Sequence, residues 1–317
     1  MPRKIDPLVD CVFKAILGKD ENKNLLIHFL NAVLEPEKDA LIRDVVIKNP
    51  YNEKEFIGDK LTVVDVKATD GKGKNYQIEI QLAVHPALAP RILFTWSSIY
   101  HSQIQEGDDY RKLNPVISIW ILNENLFAET GKYHLDFSLF DKENGLSFTD
   151  HLGIHILQLR NWRSDRSITN EKERWLYMFK EGKNADMENP PSPLDTEEMR
   201  QAMSVLRRFS ESEKDYLLYQ SRLDGILLHN TWLRELEDIR KEKEQAQKEK
   251  EQAQKETEQA QKETEQAQKE TEQAQKETEQ AQKEKEQAQK ETEQAEEKIR
   301  RLLLLLKEKG IDPDKIA

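Results

Sequence analysis

Two hydrophobic periods alternate along the first 160 residues. Within residues 20–34, Leu25, Leu26, Phe29, Leu30, Val33 and Leu34 recur at three- and four-residue spacing behind Asp20 and Glu21. That pattern predicts an amphipathic helix with negative charge at the favourable end of its dipole. Strand patterns follow at residues 41–48, with Val45, Val46 and Ile47, at 60–69 (KLTVVDVKAT) and at 75–82 (NYQIEIQL). Between the last two, Asp70-Gly71-Lys72-Gly73-Lys74 reads as a hairpin turn. Residues 86–105 predict a long helix that gathers Leu88, Ile92, Leu93, Trp96, Ile99, Tyr100 and Gln103 on one side. Residues 115–122 (PVISIWIL) form a continuous apolar run of the kind found in the middle of a sheet. Helix, three strands, helix, strand makes an α/β fold, a mixed sheet flanked by helices.

The periodicity then changes character. Residues 133–159 predict one or two further strands, and helices follow at 171–181, 195–210 and 212–240, with a break at Pro190-Pro191-Ser192-Pro193. Next comes a KETEQAQ-type heptad repeat without Gly or Pro, and residues 299–309 form a Leu-rich helical end. The expected divisions are a core over 1–165, a helical subdomain over 166–236, a charged repeat helix over 237–309 and a short terminal motif over 310–317. Alanine recurs every seventh residue from Ala246 to Ala295, with Thr or Lys four residues on. Coiled coils need bulkier residues at such positions, whereas Ala, Glu, Gln and Lys are strong helix formers and Glu-to-Lys pairs at i,i+4 support a helix. An extended, solvated single helix from about residue 233 to 309 is therefore expected. Ile299 and residues 302–306 are the segment fitted for self-association.

Composition sharpens this division. The chain has 317 residues, 49 basic and 60 acidic, and 37% are hydrophobic. Residues 241–298 contain eight alanines and no other hydrophobic residue, together with 12 Lys and 18 Glu. Without them the body has the apolar content of an ordinary soluble domain. The net charge of −11 does not suit binding of nucleic acid by bulk charge. A lone Cys11 rules out an internal disulfide framework and any cysteine-rich zinc site. The longest aliphatic run, residues 302–306, is far too short to span a bilayer. No apolar signal core opens the chain, so a cytoplasmic protein without membrane contact is expected.

Asp65 sits among Val63, Val64 and Val66 in a run that reads as buried strand, where a carboxylate is costly unless paired, hydrogen-bonded or bound to metal. Strand alternation puts Gln77, Glu79 and Gln81 on one face of the next strand and Tyr76, Ile78, Ile80 and Leu82 on the other. With the turn centred on Lys72, residues whose numbers sum to 144 lie opposite, and Asp65 faces Glu79. Directly opposite Cβ atoms lie about 4.5–5.5 Å apart. The two carboxylates then either share a hard cation, Mg²⁺ or Mn²⁺, or belong to the solvated face of a surface hairpin. His151 and His155 stand at i,i+4, but Gly153 and strand-like surroundings speak against a helical metal pair. Cys11, beside Val12 and Phe13, reads as a buried apolar residue.

Asp65, a hairpin and Glu79-Ile80-Gln81 resemble the PD-(D/E)xK nuclease core, with Gln in place of the usual Lys. More narrowly, the chain resembles the Rpn family of recombination-promoting nucleases, transposase-type members of that superfamily. The likeness rests on Asp10-Cys11-Val12-Phe13-Lys14, Leu30-Asn31-Ala32-Val33-Leu34, Val64-Asp65-Val66-Lys67 with Asp70, Ile78-Glu79-Ile80-Gln81, and Arg91 through Tyr100, Gly107, Tyr110, Leu113 and Pro115. It spans about residues 6–125, with weaker similarity to about 240. Lys309-Gly310-Ile311-Asp312 with Ile316-Ala317 resembles a shortened form of the family's C-terminal motif.

The resemblance implies a restriction-endonuclease-like core and a Mg²⁺- or Mn²⁺-dependent DNA endonuclease acting in recombination or mobile elements. By position, Asp65 and Glu79 become metal ligands with the carbonyl of Ile80, and Gln81 orients the attacking water or a phosphate oxygen. Asp10 is a further ligand or a helix cap. Lys67 and Lys14 meet phosphates or are solvated, and Arg91, Tyr100 or Gln103 lines the cleft, Tyr100 suiting helix packing better. The alternative function is a non-catalytic DNA-binding or assembly protein that keeps the nuclease fold.

Overall fold

The computed structural model describes residues 3–48 and 65–308. The chain divides into two compact units, Met1–Leu233 and Arg234–Ala317. In the first, six strands form one sheet: β1 (Val45–Lys48), β2 (Val66–Asp70), β3 (Asn75–Gln81), β4 (Val116–Leu122), β5 (His134–Phe140) and β6 (Ser147–Gln158). Their order across the sheet is β1-β2-β3-β4-β6-β5. β3, β4 and β6 run parallel in the centre, and antiparallel pairs flank them on both sides. The sheet is mixed, as the element order requires.

Alternation sends the two faces of these strands into different cores. Val66, Ala68, Tyr76, Ile78, Ile80, Ile117, Ile119 and Ile121 join one large apolar cluster. Packed into it are α1 (Asp10–Leu17), α2 (Lys23–Leu34), α4 (Glu171–Glu181) and α5 (Glu197–Glu211). Phe29, Trp175 and Phe179 interlock there, with ring centroids 5.5–6.1 Å apart. On the opposite face α3 (Leu88–His101) packs Leu88 and Ile92 against Trp120, Leu122, Ile154 and Ile156. The 12-residue β6 lies buried along its second half, which completes the parallel centre.

Several boundaries depart from the sequence expectation. The helix expected over 20–34 starts with a 3₁₀ turn at Asp20–Asn22, and α2 proper begins at Lys23. α1 is an additional helix. The helix expected over 86–105 is confined to Leu88–His101, since Ser102 already closes its last turn by donating to the Ser98 carbonyl. The strand expected over 60–69 is seen as Val66–Asp70, and residues 60–64 lie outside the described residues, as does the motif at 310–317. Asp70 belongs to β2 rather than to the turn, because its N–H donates to the Lys74 carbonyl at 3.0 Å. Gly73 turns the chain at φ 84°, a region that L side chains rarely adopt.

The last helix, α6, runs from Glu213 to Glu308. Its start belongs to the first unit, where Tyr219 is buried and its hydroxyl accepts the Asp6 N–H at 3.2 Å. From Arg234 onward every described side chain is exposed except Leu306. The repeat holds itself by short-range bonds, such as Glu258–Lys262 at 2.7 Å and Glu265–Lys269 at 2.6 Å. Each threonine of the repeat, as at Thr257, donates to the alanine carbonyl four residues back at 2.8 Å. Large apolar residues are exposed at both ends of this second unit, Leu236 and Ile239 at one and Ile299 and Leu302 at the other. Among the described residues, no helix is long and apolar enough to cross a membrane.

Candidate active site

The hairpin register fixes where the two carboxylates stand. Val66 pairs with Ile78, Lys67 with Gln77, Ala68 with Tyr76 and Thr69 with Asn75, the arithmetic expected for a turn centred on Lys72. One residue further, Asp65 reaches the level of Glu79, and its Oδ2 accepts the Ile80 backbone N–H at 3.0 Å. Glu79 is 2% exposed, so it is not part of a solvated hairpin face.

A directed chain of donors holds Glu79. Trp120 Nε1 donates to Ser118 Oγ at 2.7 Å, Ser118 Oγ donates to Gln77 Oε1 at 3.1 Å, and Gln77 Nε2 donates to Glu79 Oε1 at 3.2 Å. Gln77, Ser118 and Trp120 are fully buried. Burial raises the Glu79 pKa from 4.5 to about 8. The Asp65 charge adds to the rise, and the Gln77 amide, the Arg91 guanidinium and the Asp65 backbone N–H oppose it. A carboxyl so placed carries its proton at neutral pH unless a cation arrives to balance the charge.

Positive groups surround the pair. Lys14 Nζ lies 3.1 Å from Asp65 Oδ1 and 3.9 Å from Asp10 Oδ2. Arg222, on α6, reaches Asp10 Oδ2 at 3.8 Å. Arg91 Nη1 donates to Gln81 Oε1 at 3.4 Å, and the same guanidinium lies 5.8 Å from the Trp120 ring centroid. Two clefts flank the Asp65–Ile80 hydrogen bond. One, of about 440 Å³, is lined by Asp10, Ile80, Gln81, Arg91 and Arg222. The other, of about 540 Å³, is lined by Lys14, Lys19, Lys48 and Asp65.

Asp65, Ile80, Gln81, Arg91 and Asp10 therefore come together, with Glu79 buried behind them. Asp10 occupies the first turn of α1, where Val9 is the capping residue, so Asp10 complements the helix dipole without capping the helix. Lys67 is half-buried opposite Gln77 and lines neither cleft. Tyr100 stacks on Trp96 with centroids 5.0 Å apart, and its hydroxyl meets His151 Nδ1 at 2.9 Å. Gln103 exchanges two hydrogen bonds with the Asn114 backbone. Both are packing residues. His155 instead meets His134, ring nitrogen to ring nitrogen at 3.1 Å. The Cys11 thiol, half-buried against the larger core, is pushed up to about 11 by burial and then by Asp10.

Sequence reasoning did not find Arg222, which lies 212 positions from Asp10, nor the Ser118–Gln77 support. The one hydroxyl in an otherwise apolar strand was the available signal for the latter.

Among the described residues, no group of three or more His, Cys, Asp and Glu side chains stands ready to hold a metal ion. Two carboxylates that repel each other, with a backbone carbonyl alongside, nonetheless fit a hard cation that keeps positions open for water or phosphate. No curated protein and no solved structure shows significant similarity to the chain. A family model for PD-(D/E)XK nuclease family transposases matches residues 7–235, nearly the whole of the first unit. Matched over that length, the chain is a member of the PD-(D/E)XK nuclease family transposases.

Proposed function

We propose that the chain is a divalent-metal-dependent DNA endonuclease linked to recombination or mobile elements, with Asp65 and Glu79 at its centre. The observation that carries this reading is the meeting of Asp65 with a buried Glu79 whose proton affinity is raised partly by the Asp65 charge. Asp65, Glu79 and the Ile80 carbonyl are the groups that would hold Mg²⁺ or Mn²⁺. When bound, such an ion lowers the pKa of a water molecule and neutralises charge on the scissile phosphate. With such an ion held there, Glu79 would be the carboxylate, its proton released to solvent, and the Gln77 amide would keep it in one orientation. Gln81, held by Arg91, has both a donor and an acceptor to orient the attacking water or a phosphate oxygen. Arg91 and Arg222 supply positive charge for the DNA backbone in a chain whose overall charge is negative.

A second reading, a DNA-binding or assembly protein without catalysis, is favoured by the neutral Gln81. Supercoiled plasmid incubated with purified protein and Mg²⁺, Mn²⁺ or EDTA separates the two. The endonuclease reading expects nicked or linear product with either ion, none in EDTA, and none from folded Asp65→Ala or Glu79→Ala protein. Plasmid retarded on a gel but left intact under all conditions supports the second reading.

A further inference from the structure

We infer that Lys14 supplies the positive charge that phosphodiester hydrolysis requires at this site and that Gln81 cannot give. The inference rests on the nuclease reading above and names one more residue of the same site. As the attacking water forms its bond to phosphorus and loses a proton to solvent, negative charge accumulates on the phosphate oxygens. The P–O bond to the leaving sugar oxygen then breaks with its electron pair, and that oxygen takes a proton from water. Lys14 exchanges no proton in this sequence; its ammonium group meets the charge on the phosphate oxygens.

Arg91, Arg222 and Lys14 stand near the two carboxylates, and their surroundings distinguish them. Arg91 is exposed, bonded to Gln81 and set over the Trp120 ring. The Arg222 side chain is half exposed and faces Asp10. Lys14 alone of the three contacts Asp65, at 3.1 Å, and its side chain is 25% exposed while that of Asp65 is 12% exposed. A charge removed from water in this way acts more strongly on its neighbours than one at the surface. Its anchor is also stiff. Val12, Phe13, Ala15, Ile16 and Leu17 of the same helix are buried, and the Gly18 N–H closes the helix on the Lys14 carbonyl at 2.8 Å. Lys14 and Asp65 line the same cleft. Lys14 thus reaches Asp65 from α1, in a cleft beside the one that Gln81 lines from β3.

The test uses the full chain and four proteins: wild type, Lys14→Gln, Lys14→Arg, and Lys14→Gln combined with Gln81→Lys. Three readouts are single-turnover plasmid cleavage with Mg²⁺, the DNA concentration giving half-maximal rate, and Mn²⁺ binding by calorimetry. In Lys14→Gln the cleavage rate is expected to fall about 100-fold, with the half-maximal DNA concentration changed by less than about threefold. Mn²⁺ binding should stay equal or tighten, since Lys14 no longer competes for Asp65. Lys14→Arg should keep more activity than Lys14→Gln, and adding Gln81→Lys should recover at least about tenfold of the lost rate. Should Lys14→Gln melt well below wild type, Lys14→Met, which retains much of the apolar stem, takes its place with the same expectations.

Cleavage by Lys14→Gln within about threefold of wild type overturns this inference and leaves the nuclease reading standing. So does loss of Mn²⁺ binding together with cleavage, which would make Lys14 a support for Asp65, and so does a double variant with no recovery. Wild-type protein that binds Mn²⁺ yet cuts with neither ion ends the nuclease reading, and this inference with it.

Discussion

Replacing Glu79 by Gln should make the first unit more stable at alkaline pH while abolishing the metal binding proposed for it. The folded protein keeps the Glu79 proton up to about pH 8, whereas the ordinary value is 4.5. Between these values the folded state binds more protons than the unfolded chain, so stability falls as pH rises. Each pH unit in that window costs about 1.4 kcal/mol, for a ceiling of ~5 kcal/mol by pH 8. Part of that ceiling is repulsion from Asp65 and not burial alone.

The amide introduced by Glu79→Gln would carry no titrating charge, and its carbonyl could still accept from the Gln77 amide. One carboxylate acceptor is lost, including capacity for the Asp65 N–H, at about 1 kcal/mol. The net gain expected for Glu79→Gln at pH 9 is ~2–4 kcal/mol, with near equality or a slight loss at pH 5. All five tryptophans lie within residues 96–232, so urea unfolding in EDTA followed by tryptophan fluorescence reports the first unit and not the repeat. Adding Mn²⁺ at pH 8 should stabilise the wild type and leave the variant nearly unchanged. A variant less stable than wild type at both pH values, or a pH slope identical in the two proteins, would refute the reasoning.

Other expectations use the same kind of measurement. Ser118→Ala removes the donor to Gln77 and the acceptor for Trp120, and should cost about 1–3 kcal/mol in urea unfolding as well as weaken Mn²⁺ binding by calorimetry. Gly73→Ala places a Cβ 2.8 Å from Asn114 Oδ1 at φ 84°; a loss of about 1–3 kcal/mol is expected, with plasmid cleavage otherwise intact once folded. The isolated 237–317 fragment should be mainly helical by circular dichroism in low salt, and helicity below about a third would contradict the run of i,i+4 pairs. Any association it shows in sedimentation should disappear when residues 302–306 are deleted.

The hairpin was legible because strand pairing is arithmetic: once Lys72 is the centre, every β3 partner of β2 follows, and Asp65 falls to Glu79. The polar stripe Gln77, Glu79, Gln81 was also visible, but its burial was not. A strand facing solvent and one facing another packed layer show the same alternation, and only the α3 layer over Trp120 decides between them. α1 escaped notice for a local reason. Its eight residues are capped by Val9 without a side-chain hydrogen bond, so neither a long period nor a capping residue marks it. That helix delivers Asp10 and Lys14, which the sequence offered as candidates without showing what brings them to Asp65. Arg222 arrives from the opposite end of the first unit's sequence, and no local pattern relates it to Asp10. The long helix was legible for the contrary reason, since its support lies entirely in neighbours four residues apart.

The repeat sets an angle as well as a length. Seven residues lengthen an α-helix by about 10.5 Å and leave it ~20° short of two full turns. Ile239 and Leu302 stand nine such units apart and share the heptad phase of the alanines. On a straight helix they therefore point in roughly opposite directions, half a turn apart. In a left-handed supercoil the same two residues lie along one seam. Adding or removing a unit rotates one apolar end against the other by the same small step, so the number of repeats determines whether a single straight partner can touch both ends at once.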